Sequence, residues 1–238
     1  MDFKFTIQRL KDGIPMTLGE MERVLLAELE ESNGTSLQSN WNLAVLYSRT
    51  GRPHEAIGCV ERLRALSRSD EEQVQCLLGM GQLHEQLGDF HLAARFYREG
   101  LEVPTRPGDF QYWLNNNLAY SLIQLGRASE VLALLEAAVA IDSARPNAHK
   151  NMGLAHQQLG EFGLAAQCFV RATRADASDG RALKHLEEIV AAHPEVLVEA
   201  PGLGEALTEC RKAVAFAAAM QPDERAHWEE LRAKVKPD

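Results

Sequence analysis

Four cysteines and eight histidines are the residues here with most chemistry to offer. A thiol acts as a nucleophile only where a positioned base or cation makes it a thiolate. Cys59, Cys76, Cys168 and Cys210 stand far apart and form no CxxC pair. Cys59 and Cys168 fall at equivalent places in two helical stretches, where a small apolar side chain packs well. All four read as reduced, packed thiols. Metal binding needs converging ligands. His149 and His156 are seven residues apart on one helical face; His84 and His91 share that spacing, but Gly88 interrupts them. A packing role fits these histidines better than a metal site. The acidic pairs Glu71-Glu72, Glu187-Glu188 and Glu229-Glu230 point in different directions on a helix and read as solvated faces. No GxGxxG, Walker, HExxH or GxSxG pattern occurs. Gly202-Leu203-Gly204 reads as the start of a helix. No cofactor is implied, and an enzyme rests on scattered His and Cys alone.

The elements that carry these residues repeat. Gly51, Gly88, Gly126 and Gly160 sit in one local context at spacings of 37, 38 and 34 residues. Before each lies a large apolar residue followed by a small one: Leu43-Ala44, Met80-Gly81, Leu118-Ala119 and Met152-Gly153. After each lies an apolar stripe at offsets of four and three: Ala56/Val60/Leu63, Ala93/Tyr97/Gly100, Val131/Leu135/Ala138 and Ala165/Phe169/Ala172. Those offsets are helical. Each unit is therefore helix, tight turn, helix, with the glycine in the left-handed conformation that ends the first helix. Residues 44, 81, 119 and 153 let backbones approach closely. Residues 60, 97, 135 and 169 fill the space between repeats. One helix pair cannot bury both faces, so the repeats must stack.

This pattern resembles the tetratricopeptide repeat family. The repeats are expected at 37–70, 74–107, 112–145 and 146–179. The family's aromatic is Tyr47 once, but His84, Leu122 and His156 elsewhere; its closing proline is absent at 68, 105, 143 and 177; Val131 stands where a small Ala is expected. Ser69 to Glu72 forms a capping box, which starts the second repeat about a turn early. Residues 104–109 read as a loop with Asp109 capping the next helix. Thr17 to Glu20 is a second capping box, opening a helix to about Glu31 that covers repeat one. The expected architecture is an all-α, right-handed α-solenoid of helix-turn-helix repeats. Residues 1–36 and 180–238 supply capping segments. In the latter, helices are expected near 180–193, 202–220 and 222–236, the last opening at Pro222 with a Trp228/Leu231/Val235 stripe. Glu187 and Pro194 mark the first of these as a degenerate repeat.

In this family the first helices line a concave groove, at positions two, five, six and nine of each repeat. The resemblance places Gln38, Trp41, Asn42 and Val45 there from repeat one, and Gln75, Leu78, Gly79 and Gln82 from repeat two. Trp113, Asn116, Asn117 and Tyr120 follow from repeat three, then Asn147, Lys150, Asn151 and Leu154 from repeat four. Asn42, Asn117 and Asn151 recur at one position, and Gly79 breaks the row. Asparagine offers a donor and an acceptor together, so such a row can pair with an extended peptide's backbone whatever its side chains; alternatively the row only solvates the face. Trp41, Trp113 and Tyr120 add the flat apolar area typical of binding hot spots. The family's clamp for carboxylate tails needs Lys or Arg where this chain has Trp41, Val45, Gln75, Gly79, Trp113 and Asn117. With Lys150 the only cation in that set, an uncharged or weakly basic segment fits better than an acidic tail. The expected function is a noncatalytic scaffold or adaptor that holds a partner's peptide segment. The alternative is a structural subunit of a larger complex, joined through the convex face or terminal helices.

The chain's 238 residues, 45% hydrophobic and 25% charged, can bury a core unaided. A net charge of −9 argues against a nucleic-acid partner. The groove set holds no acid, so that charge is expected on outer faces and caps. No run is long and apolar enough for a membrane span, and no signal peptide is visible, so a cytoplasmic protein is expected. Phe3, Phe5 and Ile7 alternate with Lys4, Thr6 and Gln8, which is strand periodicity. Met1–Leu10 reads as a tail on the first helix, or as a segment that docks on a neighbouring chain. Homo-oligomers through this segment or the C-terminal helix are the partner alternative.

Overall fold

The computed structural model describes residues 17–106 and 108–220. The expectations for Met1–Leu10 and for a helix over 222–236 lie outside them. Every regular element among the described residues is a helix, and they fall into two compact units meeting at Ile141 and Asp142. The fold is all-α, built of stacked helix-turn-helix repeats of the α-solenoid class.

Unit 1 opens with α1 (Leu18–Glu31), whose Thr17–Glu20 capping box is formed in both directions. Three helix pairs follow. They are α2 (Leu37–Arg49) with α3 (Pro53–Leu66), α4 (Asp70–Gln86) with α5 (Phe90–Glu102), and α6 (Asp109–Gln124) with α7 (Leu132–Ile141). Each helix packs on the next, and α4 also meets α6. The first-helix ends are alike because one device makes them. Gly51, Gly88, Gly126 and Gly160 have φ between +75° and +77°, the left-handed region where only glycine avoids a Cβ penalty. The following amides reach back to Tyr47, His84, Leu122 and His156 at 2.8–2.9 Å, closing Schellman-type turns. The position that loses the family aromatic thus serves the turn through its carbonyl.

Small-against-large packing between the paired helices also follows the sequence. A Cβ on Gly81 would lie 2.2 Å from the Tyr97 ring, and one on Gly153 would lie 2.7 Å from the Phe169 ring. Two local details differ from the sequence reading. Asp109 does not cap α6; Gly108 holds the cap position and Asp109 is the first helical residue, adding negative charge to the first turn. The second helix of repeat three begins as a 3₁₀ turn, Ala128–Glu130, before α7. Val131, buried at the place of Ala56, Ala93 and Ala165, lies at that break. A β-branched side chain there loses χ1 freedom against the preceding turn.

Unit 2 comprises α8 (Pro146–Gln158), α9 (Phe162–Ala175), α10 (Arg181–Ala192), the short α11 (Val196–Glu199) and α12 (Leu203–Ala219). α9 is its hub, touching α8, α10, α11 and α12. Phe169, Leu186, Ile189, Leu203, Leu207 and Cys210 are among its core. Glu187, which occupies the small-residue position of α10, pairs with Arg211 of α12 at 2.7 Å. The pair is exposed and worth little by itself, but it shows how α10 departs from a repeat. Its small-residue position faces a polar partner instead of a ring. Gly202, at φ +84°, caps α12.

Candidate functional site

The chemistry-bearing residues resolve first. All four cysteines are free and buried, and burial pushes each thiol up, away from the thiolate. His84 stacks on Phe96 at 5.3 Å between centroids, and burial holds its pKa below the usual value. His156 Nδ1 meets Glu161 at 2.6 Å, and His149 Nε2 meets the Ser143 carbonyl at 3.0 Å. His156 and His149 thus each engage one ring nitrogen, whereas Nδ1 of His84 and Nδ1 of His149 are buried without a hydrogen-bond partner. Among the described residues no group of three or more His, Cys, Asp or Glu is gathered as a metal site would require.

In unit 1 the first helices α2, α4 and α6 form successive seams. Ser48 of α2 and Gln86 of α4 exchange hydrogen bonds at 2.8 and 3.2 Å. Ser121 of α6 donates to Glu85 of α4 at 3.0 Å. The structure brings Gln38, Trp41 and Gln75 together on an open pocket of about 190 Å³ between α2, α3 and α4. Leu37 and Leu63 add apolar wall, and Ser67, Glu72 and Cys76 complete it. Leu37 is 44% exposed beside Trp41, so this corner offers apolar area to solvent.

The asparagine row is more enclosed than the sequence implied. Asn42 is only 6% exposed and accepts a 2.9 Å hydrogen bond from Gln38. Asn116 is 3% exposed and donates to Asn117 at 2.9 Å. Asn117 itself is half-buried, as are Gln82, Trp113 and Tyr120. Tyr120 stands edge-on to Phe90, and Trp113 edge-on to Tyr112. Val45 and Leu78 are buried and contribute to this face only as packing beneath it. Gly79 is not crowded: a Cβ there would meet Val60 at an ordinary 3.9 Å.

The four groove residues of repeat four lie on α8 of unit 2. Asn151 is buried, Leu154 packs against the unit 2 core, and Asn147 is partly buried. Lys150 is committed to Asp179, 3.6 Å away, and burial, helped by the nearby Arg181 charge, pushes its pKa down. Hydrogen bonding from Arg181 holds Asp179 at about 2. The one cation of the set is therefore internally paired.

Sequence reading missed Glu85. It lies one turn beyond Gln82 on α4, between α4 and α6, with its carboxyl largely buried. Burial lifts that carboxyl to about 7, with Ser121 and Tyr97 opposing the shift. The negative charge is thus not confined to outer faces and caps. Continuing the groove spacing from Leu78 and Gln82 by one more turn would have reached it.

Residues 35–106 and 147–179 match family models described as tetratricopeptide repeat. Over 136 residues, 57% of this chain, it is 31% identical to tetratricopeptide repeat protein 7B of Homo sapiens, of whose length it spans 15%. Among solved structures it resembles BtubC from P. vanneervenii, with TM-score 0.67 and 15% identity over 87% of this chain and 95% of that one. MamA 41-end from Desulfovibrio magneticus RS-1 gives TM-score 0.57 at 18% identity, over 86% and 100% of the two chains. YrrB, a TPR protein with an unusual peptide-binding site, gives 0.55 at 18%, over 84% and 100%. At these identities the structural likenesses speak for fold alone. The turn glycines, the ring-on-glycine packing and the matched residues lead to one assignment: residues 35–106 and 147–179 of this chain are tetratricopeptide repeats.

Proposed function

We propose that this protein is a noncatalytic interaction scaffold and that the first-helix face of unit 1 holds an extended segment of a partner protein. Tetratricopeptide repeat proteins are generally non-catalytic, and the four cysteines of this chain are free and buried. The observation that carries the reading is the convergence of Gln38, Trp41 and Gln75 on one open pocket. Amides beside an aromatic plate suit a peptide: the amides meet its backbone, and the plate meets one apolar side chain. Half-buried Asn117, Gln82 and Tyr120 extend the same kind of surface along α4 and α6. Because these side chains already sit on packed helices, little ordering entropy opposes binding. Asn147, Lys150, Asn151 and Leu154, on α8, are a separate set of proposed contacts within unit 2 by itself.

The test is selection of a displayed random dodecapeptide library on the full chain, followed by Trp41→Ala and Asn117→Ala. Selected peptides are expected to lose about tenfold in affinity with either variant. Unchanged affinity in both would remove this face from consideration.

A second reading, assembly into a larger complex, has one observation in its favour. The last two turns of α12 are alanine-rich and exposed, with Phe216 60% exposed. Mass measured against concentration separates the two readings. A monomer that stays monomeric, and binds peptides, leaves only the first. Among the described residues no helix is long and apolar enough to cross a membrane.

A further inference from the structure

The Trp41 pocket has room for one ring. Its volume is about 190 Å³, and an apolar cavity of about 150 Å³ is enough to hold benzene. Leu37, Trp41 and Leu63 form its apolar wall. Among the described residues that line it, Glu72 is charged and none is Lys or Arg. Helix α1, which packs on α2, carries Glu20, Glu22, Glu28, Glu30 and Glu31 against Arg23. An occupant with an aromatic ring and a small excess of positive charge complements this surface.

The first eleven residues of the chain have that chemistry. Phe3, Phe5 and Ile7 recur with a period of two, so an extended backbone turns all three to one side. Lys4, Arg9 and Lys11 stand against Asp2. The reach is sufficient. Ser39 Oγ donates to Glu28 at 2.7 Å, which fixes α1 beside α2. Thr17 is about 16 Å from Glu28 along the helix, and Trp41 is about 3 Å beyond Ser39. With a helix diameter of about 10 Å to cross, the gap is about 30 Å at most. The residues between Phe5 and Thr17 span up to about 36 Å when extended.

We propose that Met1–Lys11 is an internal occupant of the unit 1 face: a phenylalanine of this segment enters the Trp41 pocket, and a partner peptide has to displace it. This rests on the groove reading and adds a regulator to that same site. Tethering makes the competition effective, because a segment on a short linker is present at an effective concentration of order 1 mM. With an intrinsic dissociation constant of order 0.1 mM, the segment fills the face about nine-tenths of the time and weakens an incoming peptide about tenfold.

The test compares the full chain with its Phe3→Ala/Phe5→Ala double variant, using the dodecapeptides selected on the full chain as probes. The variant is expected to bind them about tenfold more tightly. A synthetic peptide of residues 1–11 should compete for the variant's face, and the same peptide with both phenylalanines replaced by alanine should not. The Trp41 indole N–H signal of the peptide-free chain should also move between wild type and variant, with thermal melting confirming that the variant is folded. Equal affinities and an unmoved Trp41 signal, in a chain whose peptides still weaken with Trp41→Ala, would overturn the internal occupant and leave the groove reading standing. A wild-type dimer that the double variant loses would place the segment on a second copy of the chain and overturn it as well. If no selected peptide responds to Trp41→Ala, groove and occupant both fall.

Discussion

Gly79 and Gly81 lie two residues apart on α4 and answer a methyl group in opposite ways. At Gly81 the new carbon would collide with the Tyr97 ring, which is fully buried and cannot swing away. Gly81→Ala should destabilise unit 1 by about 1–3 kcal/mol. At Gly79 there is room, and removing a glycine from a helix interior gains roughly 0.5–1 kcal/mol. Urea unfolding of both variants should therefore show midpoints displaced to opposite sides of the wild type; two shifts of the same sign would contradict the packing described. Glu85 makes a second residue-level prediction. Its carboxyl is raised to about 7 from an ordinary 4.5. Between those values the native chain holds a proton that the unfolded chain has released, so stability falls as pH rises through the window. At 1.36 kcal/mol per unit the loss is of order 3 kcal/mol. Glu85→Gln keeps an acceptor for Ser121 and removes the titration. Wild type and variant should be similar at pH 5, and the variant more stable at pH 8. Parallel pH profiles would mean that Glu85 is solvated.

At the scale of elements, local chemistry decides where helices begin and end. In the α4 capping box, Ser69 Oγ accepts from the Glu72 amide and Glu72 accepts from the Ser69 amide, each at 3.2 Å. Ser69→Ala should cost about 1 kcal/mol. Gly88→Ala forces a Cβ into φ +75° and should cost about 1–2 kcal/mol, although nothing lies within 4 Å of that carbon. Both are read from denaturant midpoints, and a neutral Gly88→Ala would contradict the left-handed turn. These features were legible in the sequence because they are short-range. A glycine between two stripes of period 3.6, or Ser-x-x-Glu before an apolar run, contains its own geometry. What was not legible depends on residues far apart in the chain. Glu85 is recognisable as a buried acid only when Ser121, 36 residues on, comes to face it. Asn42 sits at a groove position by spacing, yet its burial and its bond from Gln38 depend on how the helices pack around it. Asp109 was misplaced by one residue because Gly108 can hold the cap position without a side-chain oxygen.

At the scale of the molecule, the chain has 34 acidic and 25 basic residues, and among the described residues no Asp, Glu, Lys or Arg is fully buried. Its exposed ion pairs, such as Arg174–Glu209 and Arg211–Glu187, tie helices of unit 2 at little net energy. Unit 1 carries the open pocket and the half-buried amides on which the proposed binding face rests. The central claim is that a partner segment lies on α2, α4 and α6. It is tested most directly by two-dimensional N–H NMR of the full chain, titrated with a peptide selected on it. The account predicts that shifts concentrate on the Trp41 indole and the side-chain amides of Gln38, Gln75, Gln82 and Asn117. Shifts confined to α3, α5 and α7, or to α12, with those signals unmoved, would contradict it.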